Sequence, residues 1–395
     1  MKKANILFLE TGTPTLNGGA GGSLVSLFEI IKGIHDYGYK IFILFYNYFN
    51  IIEEFKEYNC EVVIKNSHVK KKRKKQNSSS SAIKKENKLI KWTKFNFNWI
   101  KLLPDITFII KIIKMNKVDI IHCNDRFSTN LAGIIAGKIM GKKVIVHQRQ
   151  YENKLPYFYI LWSSKVDIYF AISTSVKENL MYELNISEQR IEVLHNWVSD
   201  KPKCELLNTD AEVKKKLLWV GRIVPWKGTR LLIDIAEKII NTNLEVSKII
   251  IYGEPDSTTV DYYQEVKNKI SNKKFDHFFE FRGYKSFSEI DPNEFLAYIH
   301  TSLKPEPFGR TIIEAMNKGI PVFATNLGGV LDIIRDNENG FLYDSQKLDM
   351  LVNKIKLITD YKIRNKIIQN AFGTLSLKFS GTSQIETIIK NYDSF

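Results

Sequence analysis

Short apolar runs rich in β-branched and aromatic residues alternate along this chain with longer stretches in which apolar positions recur every three or four residues. The first pattern is that of a buried strand and the second that of an amphipathic helix. Strands are predicted in the first half over 4–9, 40–45, 61–64, 118–122, 143–147, 168–172 and 191–194, and in the second half over 217–220, 248–252, 277–281, 299–303, 321–325 and 341–343. Helices are predicted between them, among others over 22–37, 127–140, 174–184, 228–240, 260–271, 309–318 and 346–358. Several strands, such as Lys248-Ile249-Ile250-Ile251-Tyr252, are apolar throughout rather than alternating, which suits a parallel sheet covered on both faces. The expected class is therefore α/β.

A polar stretch from Ser199 to Asp210, containing Pro202, interrupts the pattern and divides the chain into a first domain over 1–198, a linker over 199–210 and a second domain over 211–378. A break at Ser380-Gly381 sets off a last helix within 379–395. Inside the first domain, Lys70-Lys71-Lys72-Arg73-Lys74-Lys75 and the serines that follow have no periodicity, so 70–88 is expected to be a solvated basic loop.

A length of 395 residues and a hydrophobic content of 44% suffice for two cores. The net charge of +15 calls for an anionic partner. Nucleic acid is the weaker choice, because the basic run has no interleaved aromatics and no recognition motif accompanies it. Cys60, Cys123 and Cys204 are far apart and form no C-x-x-C pair, which predicts reduced thiols and a cytoplasmic protein. The apolar start is too short for a signal segment and is broken by Glu10, and no run is long enough to span a membrane. No metal-binding signature is visible, so no metal or other cofactor is expected.

The candidate chemistry centres on Pro305-Glu306-Pro307-Phe308-Gly309-Arg310-Thr311-Ile312-Ile313-Glu314. A Gly-centred turn that opens a helix presents free N–H groups and the positive end of the dipole to an anion such as a diphosphate. Carboxylates beside that site repel phosphate, so Glu306 and Glu314 are better suited to accept hydrogen bonds from sugar hydroxyls. Gly221-Arg222 ends the second domain's first strand, and Lys227-Gly228 follows it into a helix. Two cations at that sheet edge could neutralise a departing diphosphate. Gly21-Gly22 lies in a glycine-rich turn (Asn17 to Ser23) where backbone can approach a ligand closely, and His147 ends a strand at the ligand edge of the first sheet. His122 ends the preceding strand, and a packing role is expected for it.

These residues resemble the retaining glycosyltransferases of family 4 (glycosyl transferases group 1), which have the GT-B fold. Glu306 and Glu314 reproduce the family's E-x7-E pattern, and the similarity continues through Asn317-Lys318-Gly319-Ile320-Pro321, Gly328-Gly329-Val330 and Glu338-Asn339-Gly340-Phe341-Leu342. Gly221, Arg222, Lys227 and Gly228 are similar to its donor-phosphate residues. Tyr39 stands where relatives carry His, and Trp197 where they carry a hinge glycine. The resemblance implies two Rossmann-like domains with parallel sheets facing across a cleft. It implies transfer of a sugar from a nucleotide diphosphate-sugar to a hydroxyl of a glycan or lipid-linked saccharide, in bacterial surface polysaccharide or glycolipid assembly.

The catalytic set so implied is His147, Glu306, Arg222 and Lys227. The donor would meet Gly21, Gly22, Gly221, Arg222, Lys227, Gly253, Glu254, Gly283, Tyr284, Glu306, Phe308, Gly309, Arg310, Thr311 and Glu314, without a metal. The Lys70–Lys75 run adds a possible contact with an anionic membrane surface at the inner face of the cell membrane. The rival readings are another enzyme of the same fold, such as a sugar-nucleotide epimerase or a phosphorylase, and a basic nucleic-acid-binding protein.

Overall fold

The computed structural model describes residues 3–12, 21–49, 51–65, 98–198, 206, 208, 214–242 and 244–395. The basic run at Lys70–Lys75, the glycines at 18 and 19, Cys204 and most of the expected linker lie outside these residues. The chain divides into two compact units, the first comprising Met1–Ala171, Lys177–Val193 and Ile388–Phe395, the second Ile172–Val176 and Leu194–Thr387.

The first unit is built on seven parallel strands among its described residues: β1 (Asn5–Glu10), β2 (Lys40–Phe45), β3 (Glu61–Ile64), β4 (Ile120–Asp125), β5 (Lys143–Gln148), β6 (Ile168–Ala171) and β7 (Ile191–Val193). Their order is β3-β2-β1-β4-β5-β6-β7. The chain winds outward from β1 in one direction and resumes on its other side at β4, so the reversal falls between those two strands. Leu7 is level with Phe42 on one neighbour and Ile121 on the other. Apolar residues of the central strands are buried on both faces, as the continuous apolar runs predict.

The second unit carries β8 (Lys216–Val220), β9 (Lys248–Tyr252), β10 (Phe279–Phe281), β11 (Phe295–His300), β12 (Val322–Thr325) and β13 (Phe341–Tyr343), in the parallel order β10-β9-β8-β11-β12-β13. Here the reversal falls between β8 and β11. The helix Leu231–Ile240 presents Leu232, Ile235, Ala236 and Ile239 to the core, and the helix Leu348–Leu357 presents Leu351, Val352 and Ile355. This is the periodicity that marks an amphipathic helix.

All thirteen expected strands lie at or overlap observed ones, with two corrections. The strand expected at 299–303 is Phe295–His300, because Phe295-Leu296-Ala297 supplies its buried beginning and Thr301–Lys304 leaves the sheet as a loop. The strand expected to end at 122 continues to Asp125, since buried Asn124 and Asp125 are hydrogen-bonded by Arg149 and Gln150, partners that polarity alone does not reveal.

The last helix, Gly381–Asp393, ends in a segment that belongs to the first unit. There the Tyr392 hydroxyl hydrogen-bonds His122 Nδ1 at 2.6 Å, the Tyr39 hydroxyl donates to Asp393 at 2.6 Å, and Lys3 pairs with Asp393 at 2.7 Å. Tyr39 thus works as an anchor. His122 stacks on Phe8 and is wholly buried, and burial together with the Arg149 charge lowers its pKa to about 3. Trp197 is also buried, with its indole against Gly381 at the start of the last helix.

Tyr392→Phe removes the hydroxyl and leaves buried His122 Nδ1 without that partner. The expected loss of stability is about 1–3 kcal/mol, read as a lower midpoint in urea unfolding.

Candidate functional site

In each sheet the carboxyl ends at the reversal point are where a ligand is expected in an open α/β fold. In the second unit this edge is formed by the turn after β8 and the loop after β11. The turn Pro225–Lys227 ends at Gly228, which has φ 71°. A Cβ there would come within 2.0 Å of the Thr301 carbonyl oxygen, so only glycine allows the two loops to meet. Thr301 secures the meeting: its hydroxyl donates to the Lys227 carbonyl at 2.7 Å and accepts from Trp219 Nε1 at 2.9 Å.

This approach brings Lys227 Nζ onto Glu306 Oε1. Both side chains are poorly accessible, 19% for the lysine and 7% for the glutamate. His300 Nε2 stands 3.1 Å from the same oxygen, and the Ser302 hydroxyl donates to it at 2.5 Å. Burial alone would push the Glu306 carboxyl up, but the Lys227 charge and the His300 contact outweigh it and hold the group well below the usual carboxylate range. The site therefore keeps a buried anion ready to accept hydrogen bonds.

Glu306 leads directly into the helix Arg310–Asn317, whose N-cap is Gly309 at φ 106° and which no side chain caps. Tyr298, two residues before His300 on β11, donates its hydroxyl to Thr311 in the first turn at 2.8 Å. Glu314 accepts from Arg310 Nε at 2.7 Å. Phe308 is buried, with its ring against His195. Arg222 stands apart from this cluster: its side chain is 58% exposed and lies 4.0 Å from Asp256. Gly221 N donates to the Tyr252 carbonyl at 3.0 Å, and Gly253 N to the Gly283 carbonyl at 2.7 Å. These bonds join the turns after β8, β9 and β10, which also carry Glu254 and the exposed Tyr284. The sequence singled out Lys227 and Glu306 but missed His300, Ser302 and Thr301. Their signal, three consecutive polar residues where β11 ends, was hidden by the misplaced boundaries of that strand.

His147, Gly21 and Gly22 belong to the first unit. The glycines open the helix Gly22–Ile34, with Gly21 as its N-cap. His147 lies in a buried polar network at the ends of β1, β4 and β5. Glu10 accepts from the Gly12 N–H at 2.7 Å and from Asn124 Nδ2, while Arg149 Nε donates to Asn124 Oδ1 at 2.6 Å. Arg149 Nη2 lies 3.4 Å from His147 Nδ1, which makes that nitrogen the acceptor and puts the ring proton on Nε2. Nε2 is buried without a hydrogen-bond partner among the described residues. Burial, then the charges of Arg149 and His122, hold the His147 pKa well below the usual value, so the ring is neutral. Burial and the neighbouring Asp125 raise the Glu10 carboxyl to about 7. Asp125 itself has φ 92°, a conformation disfavoured for a non-glycine residue. Among the described residues, no three His, Cys, Asp or Glu side chains are grouped to hold a metal ion, and no helix is long and apolar enough to cross a membrane.

Two family models match the sequence: Glycosyltransferase Family 4 over residues 20–201 and Glycosyl transferases group 1 over residues 208–374. The chain is 25% identical over 311 residues to an uncharacterized glycosyltransferase of Methanocaldococcus jannaschii, covering 70% of this chain and 75% of the relative. It is 23% identical over 317 residues to the UDP-Gal:alpha-D-GlcNAc-diphosphoundecaprenol alpha-1,3-galactosyltransferase of Escherichia coli, covering 74% and 80%. Among solved structures, HepE of Anabaena in complex with UDP and glucose superposes with a TM-score of 0.75 at 19% identity, over 99% of this chain and 100% of that one.

Two measurements follow. Lys227→Ala leaves Glu306 buried without its cation, so it should cost about 3 kcal/mol more in the wild-type background than in Glu306→Gln, as read by a urea double-mutant cycle. Glu10 has a folded pKa above its unfolded value of 4.5. Its contribution is therefore complete below pH 4.5 and is lost as pH rises through about 7. From pH 5 to pH 8 the wild type should lose on the order of 2 kcal/mol relative to Glu10→Gln.

Proposed function

The chain is a glycosyltransferase of the family 4, group 1 kind with the GT-B fold, and from that premise we propose that it moves a sugar, with retention, from a nucleotide diphosphate-sugar to a hydroxyl of a glycan or lipid-linked saccharide. The observation that carries the reading is the Lys227–Glu306 pair at the approach to the uncapped helix Arg310–Asn317. A diphosphate at that helix start would meet N–H groups and the dipole. Lys227 can exchange the carboxylate for the phosphate, and Arg222 adds a second cation from the turn after β8. Glu306 is then free to accept from sugar hydroxyls, and Glu314 from the ribose.

As the reaction proceeds, the bond from the anomeric carbon to the phosphate oxygen breaks and a bond to the acceptor oxygen forms on the same face of the sugar. The acceptor's proton passes to the departing phosphate oxygen. Lys227, Arg222 and the helix dipole stabilise the charge that develops there, so the reaction runs without a metal. His147, neutral and with its proton on Nε2, can donate that proton in a hydrogen bond to a hydroxyl oxygen. The Escherichia coli relative acts on a diphosphoundecaprenol-linked sugar and forms an alpha linkage. That supports a lipid-linked acceptor and assembly of a surface polysaccharide, and it gives the basic run at Lys70–Lys75 an anionic surface to meet.

A thermal-shift panel of UDP, GDP, ADP and their common sugar esters tests the reading. One nucleotide series should raise the melting temperature, and Glu314→Ala should lose most of that shift. With the sugar ester so found, transfer should persist in EDTA and give a product whose anomeric configuration, read by NMR, matches the donor's. Absence of any shift on folded protein would overturn the transferase mechanism, and an inverted product would overturn retention.

A further inference from the structure

We propose that His300 and Ser302 are positioning residues that keep Glu306 aimed at the donor sugar when Lys227 turns away to the diphosphate. The inference rests on the transferase mechanism above and identifies what holds its sugar-recognising carboxylate.

Three donors meet Glu306 Oε1, and they differ in kind. Lys227 reaches it on a flexible four-carbon stem from the turn Pro225–Lys227. His300 ends β11, Ser302 lies two residues past it, and both are buried. Their backbones are fixed by side chains of β12, the neighbouring strand, and β13, the next one out: the Tyr343 hydroxyl donates to the His300 carbonyl at 3.0 Å, and the Thr325 hydroxyl to the Ser302 carbonyl at 2.8 Å. Ser302 Oγ also lies 3.2 Å from His300 Nε2, so the two donors brace each other. The mobile donor can leave and the rigid pair stays.

The other ring nitrogen strengthens the case. His300 Nδ1 is buried without a hydrogen-bond partner among the described residues. An unpaired buried polar atom is costly, and an apolar side chain would fill the same space without that cost. Packing therefore gives no reason for histidine here, whereas the contact from Nε2 to Glu306 does. Without His300 and Ser302, departure of Lys227 would leave a buried carboxylate with much weaker support. It would then take up a proton or turn, and in either case accept sugar hydroxyls poorly.

The test compares a bare nucleotide with its sugar ester, because Glu306 is assigned to the sugar and not to the nucleotide. Calorimetric titrations use whichever pair the wild type binds most tightly, UDP with UDP-glucose, GDP with GDP-mannose or ADP with ADP-glucose. His300→Ala and Ser302→Ala should each weaken the sugar ester about tenfold while leaving the bare nucleotide within about twofold. His300→Gln, whose amide nitrogen can reach the place of Nε2, should recover most of the loss. A role in packing would weaken both ligands together and would not be rescued by Gln. That result, or unchanged binding of the sugar ester in folded Ser302→Ala and His300→Gln, overturns the inference. A wild type that binds none of these pairs would instead overturn the mechanism on which it rests.

Discussion

A carboxylate taken out of water must be compensated, and the second unit is arranged around compensating one. Glu306 is buried where the turn after β8 meets the loop after β11, and Lys227 reaches it from the facing turn. Such a pair adds little to stability over a well-packed apolar alternative. The surrounding structure nevertheless goes to some length to make it: a glycine at 228 that no other residue can replace, a threonine that ties the Lys227 carbonyl to Trp219, and a Gly329 N–H that donates to the Glu306 carbonyl at 2.7 Å. These features make sense if the ion pair is kept for chemistry, as the resting form of two groups that separate when a donor arrives.

Both units concentrate buried polarity at the carboxyl ends of the strands where their winding reverses. In the first, Glu10, Asn124, Arg149 and His147 form a network in which burial sets the charge state: Glu10 is poised near neutrality and His147 is uncharged. In the second, neighbouring charge sets it, and Glu306 stays ionised. The same topological position thus holds a titrating acid in one sheet and a fixed anion in the other. The difference follows from the neighbouring charge: the Asp125 carboxylate adds to the effect of burial on Glu10, whereas the Lys227 ammonium outweighs burial at Glu306.

Much of this was legible in the sequence. Continuous apolar runs between amphipathic stretches gave both parallel sheets, and Glu306, Lys227 and the glycine turns stood out because their chemistry is local to a motif. The network behind them did not, for a physical reason. His300 and Ser302 matter through where they point, which depends on strand phase, and phase is lost when a boundary moves by a few residues. Asn124 and Asp125 looked too polar for a strand because their partners, Arg149 and Gln150, come from the turn after the next strand. Glu10 read as the break in an apolar run, although its carboxylate lies inside the fold.

The alternation along β11 bears on how such a protein can be re-engineered. Tyr298 and His300 support the helix start and the carboxylate from one side of the strand, while Thr301, the first residue past its end, serves the lysine turn. Inserting or deleting one residue between Tyr298 and His300 would turn the two to opposite sides of the strand. The segment from Phe295 to Glu314 therefore carries the motif together with Tyr298, His300 and Ser302, and still needs Lys227, Thr325 and Tyr343 from the surrounding fold. A graft cut between the strand and the Glu306 turn would carry the recognisable motif and leave its support behind.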